Sequence, residues 1–251
     1  IYGLPRQNEA SFSRTLDKIV NLRPDRIAAY SYAHLPHLFK PQRQIKVEDL
    51  VSPAEKLALL GLTVARLTDA GYVYVGMDHF ALPTDDLVLA QKRGTLQRNF
   101  QGYSTRSECD LIALGMSAIS KVGDTYSQNA KTLPEYYQAI DGGTLAVQRG
   151  FLLSRDDRVR RDVIHRLMCS SQLMFSAVEA EHGIAFKDYF VEDLRRLEPL
   201  ERDGLVFRDD EGLYVTARGR LLIRNVAMAF DAHLHRGSVT TLHAPRYSRV
   251  V

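Results

Sequence analysis

The first 150 residues alternate between short apolar runs and segments whose apolar residues recur every three or four positions. The runs at residues 27–33 and 72–75 predict strands, and the first is dense enough in apolar residues for a buried parallel strand. The periodic segments predict helices, one over residues 12–20 and one that opens with the capping residues 52–55 and ends at Gly71. Strands and helices in this order predict βα units, so we expect the closing portion of a βα barrel.

Two shorter helices and a change of pattern follow. Residues 83–93 and 131–140 predict helices, and a turn at residues 141–143 ends the second of them. From about residue 150 the pattern changes to helices and one hairpin. We therefore expect two domains, residues 1–150 and residues 151–251.

The second half predicts a helical domain with a small hairpin. Ser154 is placed to cap its first helix, and Thr216 is placed to cap a last helix that reaches Phe230. Apolar runs at residues 204–207 and 213–215 flank an Asp-Asp-Glu-Gly turn, which predicts a hairpin. Helices followed by a hairpin and a helix are similar to a winged helix. The expected fold class is α/β, with a mostly helical, winged-helix-like C-terminal domain, and we expect the Ser/Thr-rich tail from Gly237 to be loosely held.

Composition narrows the classes of function. The chain has 251 residues, 33 basic and 30 acidic, and a net charge of +3 is too mild to demand a polyanionic partner, although it suits a substrate with several carboxylates. Because no apolar run reaches about 18 residues, we expect no membrane span. Two cysteines far apart and no signal sequence favour a reducing, cytoplasmic location. We expect a monomer.

An Asp-His pair follows the second predicted strand. Asp78 and His79 lie within the six residues that begin at Gly76, and the C-terminal edge of a parallel strand is where α/β folds place their sites. A histidine at this place is suited to hold a propionate or to manage a proton. The alternative is structural: the carboxylate accepts backbone hydrogen bonds and the imidazole is satisfied in a polar cluster.

A second polar cluster lies at residues 98–103. It supplies a guanidinium, two amides and a phenol within six residues, interleaved with Phe100. Such groups suit a wall that meets a flat ring system edged with carboxylates, and Arg98 and Gln101 are the preferred contacts. The alternative is a polar loop packed on its own aromatic residues.

Several blocks, in the same order along the chain, resemble one enzyme family, the oxygen-independent coproporphyrinogen III oxidases, which are radical S-adenosylmethionine (SAM) enzymes of haem biosynthesis. The blocks are Ile1 to Pro5, Tyr32 to Pro36, Gly76 to Ala81, Arg98 to Tyr103, Gly115 to Ser120, Gly219 to Asn225 and Ser248 to Val250. The resemblance implies that residues 1–150 are the C-terminal part of a radical SAM (β/α) partial barrel.

The resemblance also implies roles for individual residues. Ala33 and Ile119 would line pockets for SAM, mainly through main-chain groups and apolar surface. The remaining candidates would contact the substrate, coproporphyrinogen III, and they are Asp78, His79, Arg98 and Gln101. No catalytic residue is assigned.

The activity implied by the resemblance is an oxidative decarboxylation. A 5′-deoxyadenosyl radical removes hydrogen from the propionate side chains on rings A and B, each substrate radical loses an electron and carbon dioxide, and two vinyl groups form. The product is protoporphyrinogen IX, and the electron acceptor is not identified by the sequence. The protein must align the target carbon with the radical and exclude water.

One departure from the family pattern limits what this polypeptide does alone. Radical SAM enzymes hold a [4Fe-4S] cluster through C-x3-C-x2-C, and this chain contains only Cys109 and Cys169. The family's acidic SAM contact, two places before the residue that matches Tyr2, would precede Ile1. The chain also begins without Met at the end of a predicted strand. We expect it to be truncated at its N-terminus and inactive alone, with no metal ligands of its own.

Two other readings stay open. A haem-carrier relative of the superfamily would show His-Asn-x-x-Tyr-Trp where this chain has the 98–103 run, and the chain has no tryptophan. A winged-helix module that binds nucleic acid would use the arginines of residues 155–166 and 218–224, but interleaved aspartates cancel much of their field, and we expect no nucleic-acid partner. A buttress whose arginines face the substrate's carboxylates is the more economical interpretation.

The histidine pairs 34/37 and 233/235 lack further ligands for a metal site.

Overall fold

The computed structural model describes residues 1–106 and 109–235, so the predicted loose tail from Gly237 lies outside the described residues. The elements of the first part are α1 (Glu9–Leu22), β1 (Arg26–Ala28), two 3₁₀ turns (Lys40–Gln44 and Val47–Asp49), α2 (Pro53–Asp69), β2 (Val73–Gly76), β3 (His79–Ala81), α3 (Asp86–Lys92), β4 (Gln97–Asn99), β5 (Gly102–Ser104), β6 (Ile119–Val122), β7 (Thr125–Asn129), α4 (Leu133–Asp141) and β8 (Val147–Leu152). The elements of the second part are α5 (Arg155–Ser170), β9 (Gln172–Met174), α6 (Phe175–His182), α7 (Phe186–Tyr189), α8 (Val191–Arg202), β10 (Val206–Arg208), β11 (Gly212–Val215), α9 (Ala217–Leu221), α10 (Ile223–Met228) and α11 (Ala232–His235).

Capping residues in the sequence fix where the long helices begin. At α2, the Ser52 hydroxyl accepts a hydrogen bond from the Glu55 backbone N–H, and the Glu55 carboxylate accepts one from the Ser52 backbone N–H. Ser154 and Asp157 form the same capping box at α5. Each box satisfies backbone N–H groups that the first helical turn leaves without partners. The predicted starts of both helices are therefore confirmed.

The first sheet corrects the predicted strand pairing. The strand expected at residues 27–33 shortens to β1, and the sheet order is β1-β3-β2 with antiparallel neighbours. Strand β3 lies between β1 and β2 because the chain reverses at Gly76 and Met77, whose φ angles are 151° and 54°. A single parallel bridge joins Tyr2 to Ser31. Asp78 and His79 thus lie in a tight hairpin, and the open parallel edge that we predicted for them is absent there.

A second sheet and a hairpin, neither of them predicted, complete the first part. Strands β6, β7 and β8 form an antiparallel sheet in that order, and β4 pairs with β5. The residues of this sheet are largely polar or half exposed, so their apolar alternation is weak. Within residues 1–106 and 109–235, no sheet closes into a barrel.

The second part matches the winged-helix-like prediction. Strands β10 and β11 form the predicted hairpin, and β9, which was not predicted, pairs with β11. Thr216 caps α9 as predicted, but the expected single helix is interrupted at Leu222 and continues as α10. The core of this part is built from residues of α5 and of the helices after it, with Val163, Leu167 and Phe230 fully buried.

Two side chains make polar contacts that join the second part to the first. The Arg220 guanidinium, in α9, donates to the Tyr74 carbonyl oxygen over 2.7 Å. The Gln91 side-chain amide, in α3, donates to the Val75 carbonyl oxygen of β2 at 2.6 Å and to the Cys169 carbonyl oxygen of α5 at 3.3 Å. These contacts hold α9 against β2, and α5 against α3 and β2. The domain boundary near residue 150 stays a prediction.

The described helices also bear on membrane insertion. None of the helices within residues 1–106 and 109–235 combines the length and apolar character that a bilayer crossing requires.

Candidate functional site

Helix α5 has two faces with different tasks. Val159, Val163 and Leu167 point into the core, where they are at most 1% exposed. Arg161 and His165 follow a different stripe, because residues three or four apart lie on one side of a helix. That stripe forms one wall of a large cavity.

The cavity has a volume of about 1080 Å³ and a strongly basic lining. Among the residues that the structure describes, seven Lys or Arg side chains and two carboxylates line it. The basic side chains are Arg98, Arg106, Lys121, Arg155, Arg158, Arg161 and Arg166, and the acidic ones are Asp162 and Glu181. A concave wall with this excess of one sign raises the local concentration of anionic ligands. We call this space the basic cavity.

A smaller cavity of about 520 Å³ adjoins it and is mostly apolar. Its apolar lining residues are Phe100, Tyr126, Phe151, Leu153, Ile164, Met168, Phe230 and Ala232. We call this space the apolar cavity. Five residues line both spaces, namely Arg98, Phe100, Tyr126, Arg161 and His165. A ligand with an apolar ring system and a charged edge would fit the two spaces together.

Arg98 enters this boundary from β4. Its backbone N–H donates to Nε2 of His165 over 2.9 Å, which fixes the β4–β5 hairpin to α5. Its guanidinium carbon lies 5.5 Å from the centre of the Tyr103 ring, within the range of a cation–π contact. Its Nε is buried and has no hydrogen-bond partner among the described residues. Arg98 is therefore held in place while keeping an unused donor.

His165 accepts the Arg98 bond because its ring is neutral. Burial is the main cause that lowers the pKa of His165 below its ordinary value. Cys169 lies one turn further along α5, with Sγ 3.7 Å from the same Nε2. Burial raises the pKa of the Cys169 thiol to about 12, so it stays protonated and is not a nucleophile.

Arg158 and Arg161 share one carboxylate. Nη1 of Arg158 lies 2.7 Å from Asp124 Oδ2, and Nη2 of Arg161 lies 3.5 Å from Asp124 Oδ1. The hydrogen bond from Arg158 is the main cause that lowers the pKa of Asp124. Nη1 of Arg161 is buried and without a hydrogen-bond partner among the described residues. Arg161, like Arg98, keeps a donor available at the cavity wall.

The Asp-His pair lies behind the same hairpin. Asp78 Oδ1 and His79 Nδ1 are 3.7 Å apart, and neither atom has a hydrogen-bond partner among the described residues. The His79 ring meets the Tyr103 ring edge to face at 5.3 Å. Through Tyr103, the pair connects to the Arg98 guanidinium. The structure therefore brings three predicted site residues, Asp78, His79 and Arg98, into one contiguous group.

Glycines make this close packing possible. Gly76 has a φ of 151°, and a Cβ atom there would lie 2.5 Å from the Tyr103 hydroxyl oxygen. Gly102 has a φ of 130°, and a Cβ atom there would lie 3.1 Å from His79 Nε2. Both positions combine a backbone conformation that L side chains rarely adopt with a close approach. The glycines therefore let the hairpin lie against Asp78 and His79.

The other three predicted site residues lie apart from this group. Gln101 is exposed at the turn of the β4–β5 hairpin. Ile119 is half buried in β6, two residues before Lys121 of the basic cavity. Ala33 is half buried, and its carbonyl oxygen accepts a hydrogen bond from the Gln42 side chain over 3.0 Å. None of the three lines either cavity, so their proposed contacts stay predictions.

Of the five residues that line both cavities, sequence reasoning missed two. His165 and Tyr126 line both cavities but were not singled out. The signal for His165 was present, because it continues the Arg158 and Arg161 stripe at helical spacing. Tyr126 lies in β7, which was not predicted, so no pattern pointed to it.

The described residues include one group with ligand types for a metal. Asp162, Glu181 and His182 lie close together beside the basic cavity. The Arg166 guanidinium already bridges this group, at 2.9 Å from Asp162 and 2.5 Å from Glu181. Because Arg166 pairs with both carboxylates and His182 lies 3.0 Å from Asp162, the group forms an ion-pair network without a metal.

The residues of this chain do not fit an iron–sulfur cluster. Cys109 is exposed in a loop, and Cys169 is buried in α5 beside His165. Two cysteines in such different surroundings do not supply the three adjacent thiolates that such a cluster takes from the family motif.

Comparisons with known proteins agree with the resemblance. The family model of the HemN C-terminal domain matches residues 153–222. The oxygen-independent coproporphyrinogen III oxidase of Pseudomonas aeruginosa is 50% identical over 251 residues, which are 100% of this chain and 54% of that protein. The chain thus spans about half the length of the first curated relatives it matches.

A solved structure matches the fold. It is coproporphyrinogen III oxidase (HemN) from Escherichia coli, a radical SAM enzyme, with a TM-score of 0.89 and 52% identity over 92% of this chain and 54% of that one. This match confirms the predicted fold class, part of a radical SAM fold followed by a mostly helical domain.

A further relative is covered over most of its length. The oxygen-independent coproporphyrinogen III oxidase of Thermostichus vulcanus is 43% identical over 96% of this chain and 74% of that protein. On that coverage and identity, the chain belongs to the oxygen-independent coproporphyrinogen III oxidase family.

Proposed function

We propose that this chain forms the substrate-binding part of an enzyme that converts coproporphyrinogen III to protoporphyrinogen IX by oxygen-independent oxidative decarboxylation. The observation that carries the proposal is the pair of joined cavities, one basic and one apolar. Coproporphyrinogen III has an apolar tetrapyrrole ring system and four propionates on its rim. Family membership supports this reaction class, and the chemistry of the two cavities is consistent with such a substrate.

The chain's own residues would bind and orient the substrate. Arg98 faces both cavities and offers charge-assisted hydrogen bonds to a propionate. Phe100 and Tyr126 meet edge to face at 5.3 Å and offer apolar surface to the ring system. Gln101 would reach the substrate from the hairpin turn. Fixing the substrate in this way aligns one carbon for reaction and excludes water.

Asp78 and His79 would support this wall. Asp78 Oδ1 and His79 Nδ1 lie 3.7 Å apart, so the pair places a carboxylate oxygen beside an imidazole nitrogen. Both atoms are buried and have no hydrogen-bond partner among the described residues. A polar group of the substrate that reached both atoms would satisfy them. We assign the pair to substrate binding, with no separate catalytic step.

SAM and a [4Fe-4S] cluster supply the 5′-deoxyadenosyl radical in this family, and Ala33 and Ile119 would contribute to the SAM pockets. Ala33 and Ile119 are half buried, which leaves surface for such a contact. The cluster ligands are not supplied by this chain. The chain alone is therefore expected not to cleave SAM, and the electron acceptor is not assigned.

The two alternative functions have less support. The relatives carry the oxidase name, and this does not favour a haem carrier. For nucleic-acid binding, the arginines of α5 would need to face outward and unpaired. Arg158, Arg160 and Arg166 are instead engaged by aspartates within the described part of the chain. Partners in those ion pairs reduce the field available to phosphates.

Porphyrin binding tests the proposal. Coproporphyrin III is the fluorescent oxidised form of the substrate and has the same side chains. Titration of this porphyrin with the chain should quench the porphyrin fluorescence until the signal saturates. Arg98→Gln should weaken this binding, while Arg195→Gln should not, because Arg195 lies on α8 in an exposed pair with Glu192. Absence of saturable binding to the unsubstituted chain would reject the proposed function.

A further inference from the structure

Two buried guanidinium N–H groups at the junction of the cavities have no hydrogen-bond partner among the residues that the structure describes. They are Nε of Arg98 and Nη1 of Arg161, and both residues line both spaces. A buried donor without an acceptor is costly, more so in a charged group. Because both side chains line both cavities, an anionic ligand at the junction would give both cations a partner.

The neighbouring arginines do not share this property. Arg158 bonds Asp124 at 2.7 Å, and Arg166 bonds Asp162 and Glu181. Those cations shape the field of the basic cavity but have internal carboxylate partners. Arg98 is fixed by its backbone bond to His165. Arg161, on α5, is held by Nη2 at 3.5 Å from Asp124, while its Nη1 has no partner among the described residues. The junction therefore presents two positioned cations on two different elements.

We infer that Arg98 and Arg161 bind the two propionates that the reaction leaves intact, those of rings C and D, an assignment that rests on the proposed function. The ring C and D propionates flank the same edge of the macrocycle, so they reach one place together. Two adjacent cations at the junction match two adjacent carboxylates. The ring system then extends along Phe100 and Tyr126.

The chemistry of decarboxylation favours this assignment over the reacting propionates. Loss of carbon dioxide converts a carboxylate into a neutral leaving molecule. A guanidinium that bound a reacting carboxylate would stabilise the ground state and would be left as an unpaired buried charge afterwards. Cations at the spectator propionates keep their partners from substrate to product.

Porphyrins with different side chains test the assignment. Coproporphyrin III carries all four propionates, whereas protoporphyrin IX keeps only those of rings C and D. Arg161→Gln should weaken the binding of both porphyrins by the same factor, at least about tenfold, because each complex loses a charge-assisted hydrogen bond. Arg98→Gln should act in the same way, and Arg195→Gln should change neither affinity.

Three results would separate the possibilities. Weaker coproporphyrin III binding with unchanged protoporphyrin IX binding would overturn the assignment but leave the proposed function standing. Unchanged affinity for both ligands in both variants would also overturn it. No binding of either porphyrin to the unsubstituted chain would reject the proposed function itself. Circular dichroism of each variant checks folding, and Arg98→Gln, on a different element, carries the test if Arg161→Gln does not fold.

Discussion

The backbone N–H of Arg98 donates to Nε2 of His165 over 2.9 Å, across 67 positions of sequence. This bond joins a hairpin of the first part to the long helix of the second. The acceptor role requires a neutral imidazole, and burial lowers the pKa of His165. The cavity wall therefore depends on the protonation state of one side chain.

Replacing His165 should destabilise the fold and loosen the cavity wall. In His165→Leu the buried Arg98 N–H loses its acceptor, and we expect the free energy of unfolding to fall by about 1 to 3 kcal/mol. His165→Gln keeps an acceptor in its side-chain oxygen and should lose less. Urea unfolding at pH 7.5 measures both, and equal losses would contradict the role of the bond.

The stability of the unsubstituted chain should also fall in mild acid through His165. The pKa of His165 is lower in the folded chain than in the unfolded chain. As pH falls below about 6.5, the unfolded chain therefore binds a proton on His165 before the folded chain does, and the free energy of unfolding decreases. His165→Gln lacks this titration. The difference in Tm between the two proteins should therefore narrow between pH 7.5 and pH 5. A constant difference would show that His165 does not titrate differently in the two states.

Gly76→Ala should disturb the packing between β2 and Tyr103. The new Cβ would lie 2.5 Å from the Tyr103 hydroxyl, which donates to the Met168 carbonyl oxygen over 2.8 Å. We expect a loss of about 1 to 3 kcal/mol from overpacking and backbone strain. Thermal unfolding measures it.

Gly94→Ala is the matched control for that substitution. Gly94 also has a positive φ, 72°, but nothing lies within 4 Å of its added Cβ. Gly94→Ala should therefore lower the free energy of unfolding only by the cost of placing alanine at a positive φ. Removal of the hydroxyl in the double variant Gly76→Ala, Tyr103→Phe should recover part of the loss. If Gly76→Ala and Gly94→Ala lower the free energy of unfolding equally, the close approach to Tyr103 does not contribute to the loss.

Asp193→Ala should be strongly destabilising. Asp193 is 3% exposed and accepts from Nη1 of Arg160 at 2.8 Å and Nη1 of Arg196 at 2.9 Å. Its removal takes one of two carboxylates from Arg160, which keeps Asp156 at 3.0 Å, and also removes the acceptor of Arg196, so we expect a loss of about 2 to 3 kcal/mol. Urea unfolding measures the loss. The adjacent Glu192→Ala removes only an exposed pair with Arg195 and should change stability by less than about 1 kcal/mol.

Asp157 should make the chain sensitive to strong acid. Burial opposes its ionisation, but hydrogen bonds from Ser154 and His233 prevail and lower the pKa of Asp157 to about 2. The stabilisation from the ionised form is present above about pH 4 and is lost as pH falls toward 2. Asp157→Asn should therefore differ from the unsubstituted chain at pH 5 and approach it near pH 2. Parallel curves of Tm against pH would contradict this.

Local signals predicted the helices better than the sheets. Ser52, Ser154 and Thr216 cap helices as their sequence contexts indicated, because capping is decided within a few residues. The pairing of β1 with β3 was not predicted, since the reversal at Gly76 and Met77 is a turn that the apolar pattern does not encode. Strand partners depend on contacts distant in sequence.

The candidate site was predictable in part for the same reason. Arg98 and the Asp78-His79 pair were found because short polar runs and a family resemblance mark them. The placement of α5 against β4 unites residues 67 positions apart, and no single window of sequence contains both Arg98 and His165. The cavity itself emerges only from that packing.

Helix α5 has 16 residues, and the side chains that pack into the core lie on a different stripe of the helix from those that line the cavities. Val163 and Leu167 hold the domain together, whereas Arg161 and His165 face the ligand space. Variation can therefore act on the ligand-facing stripe without emptying the interior. A library that diversifies positions 158 and 161 and keeps His165 would sample new ring-edge chemistries while the bond between Arg98 and His165 is retained.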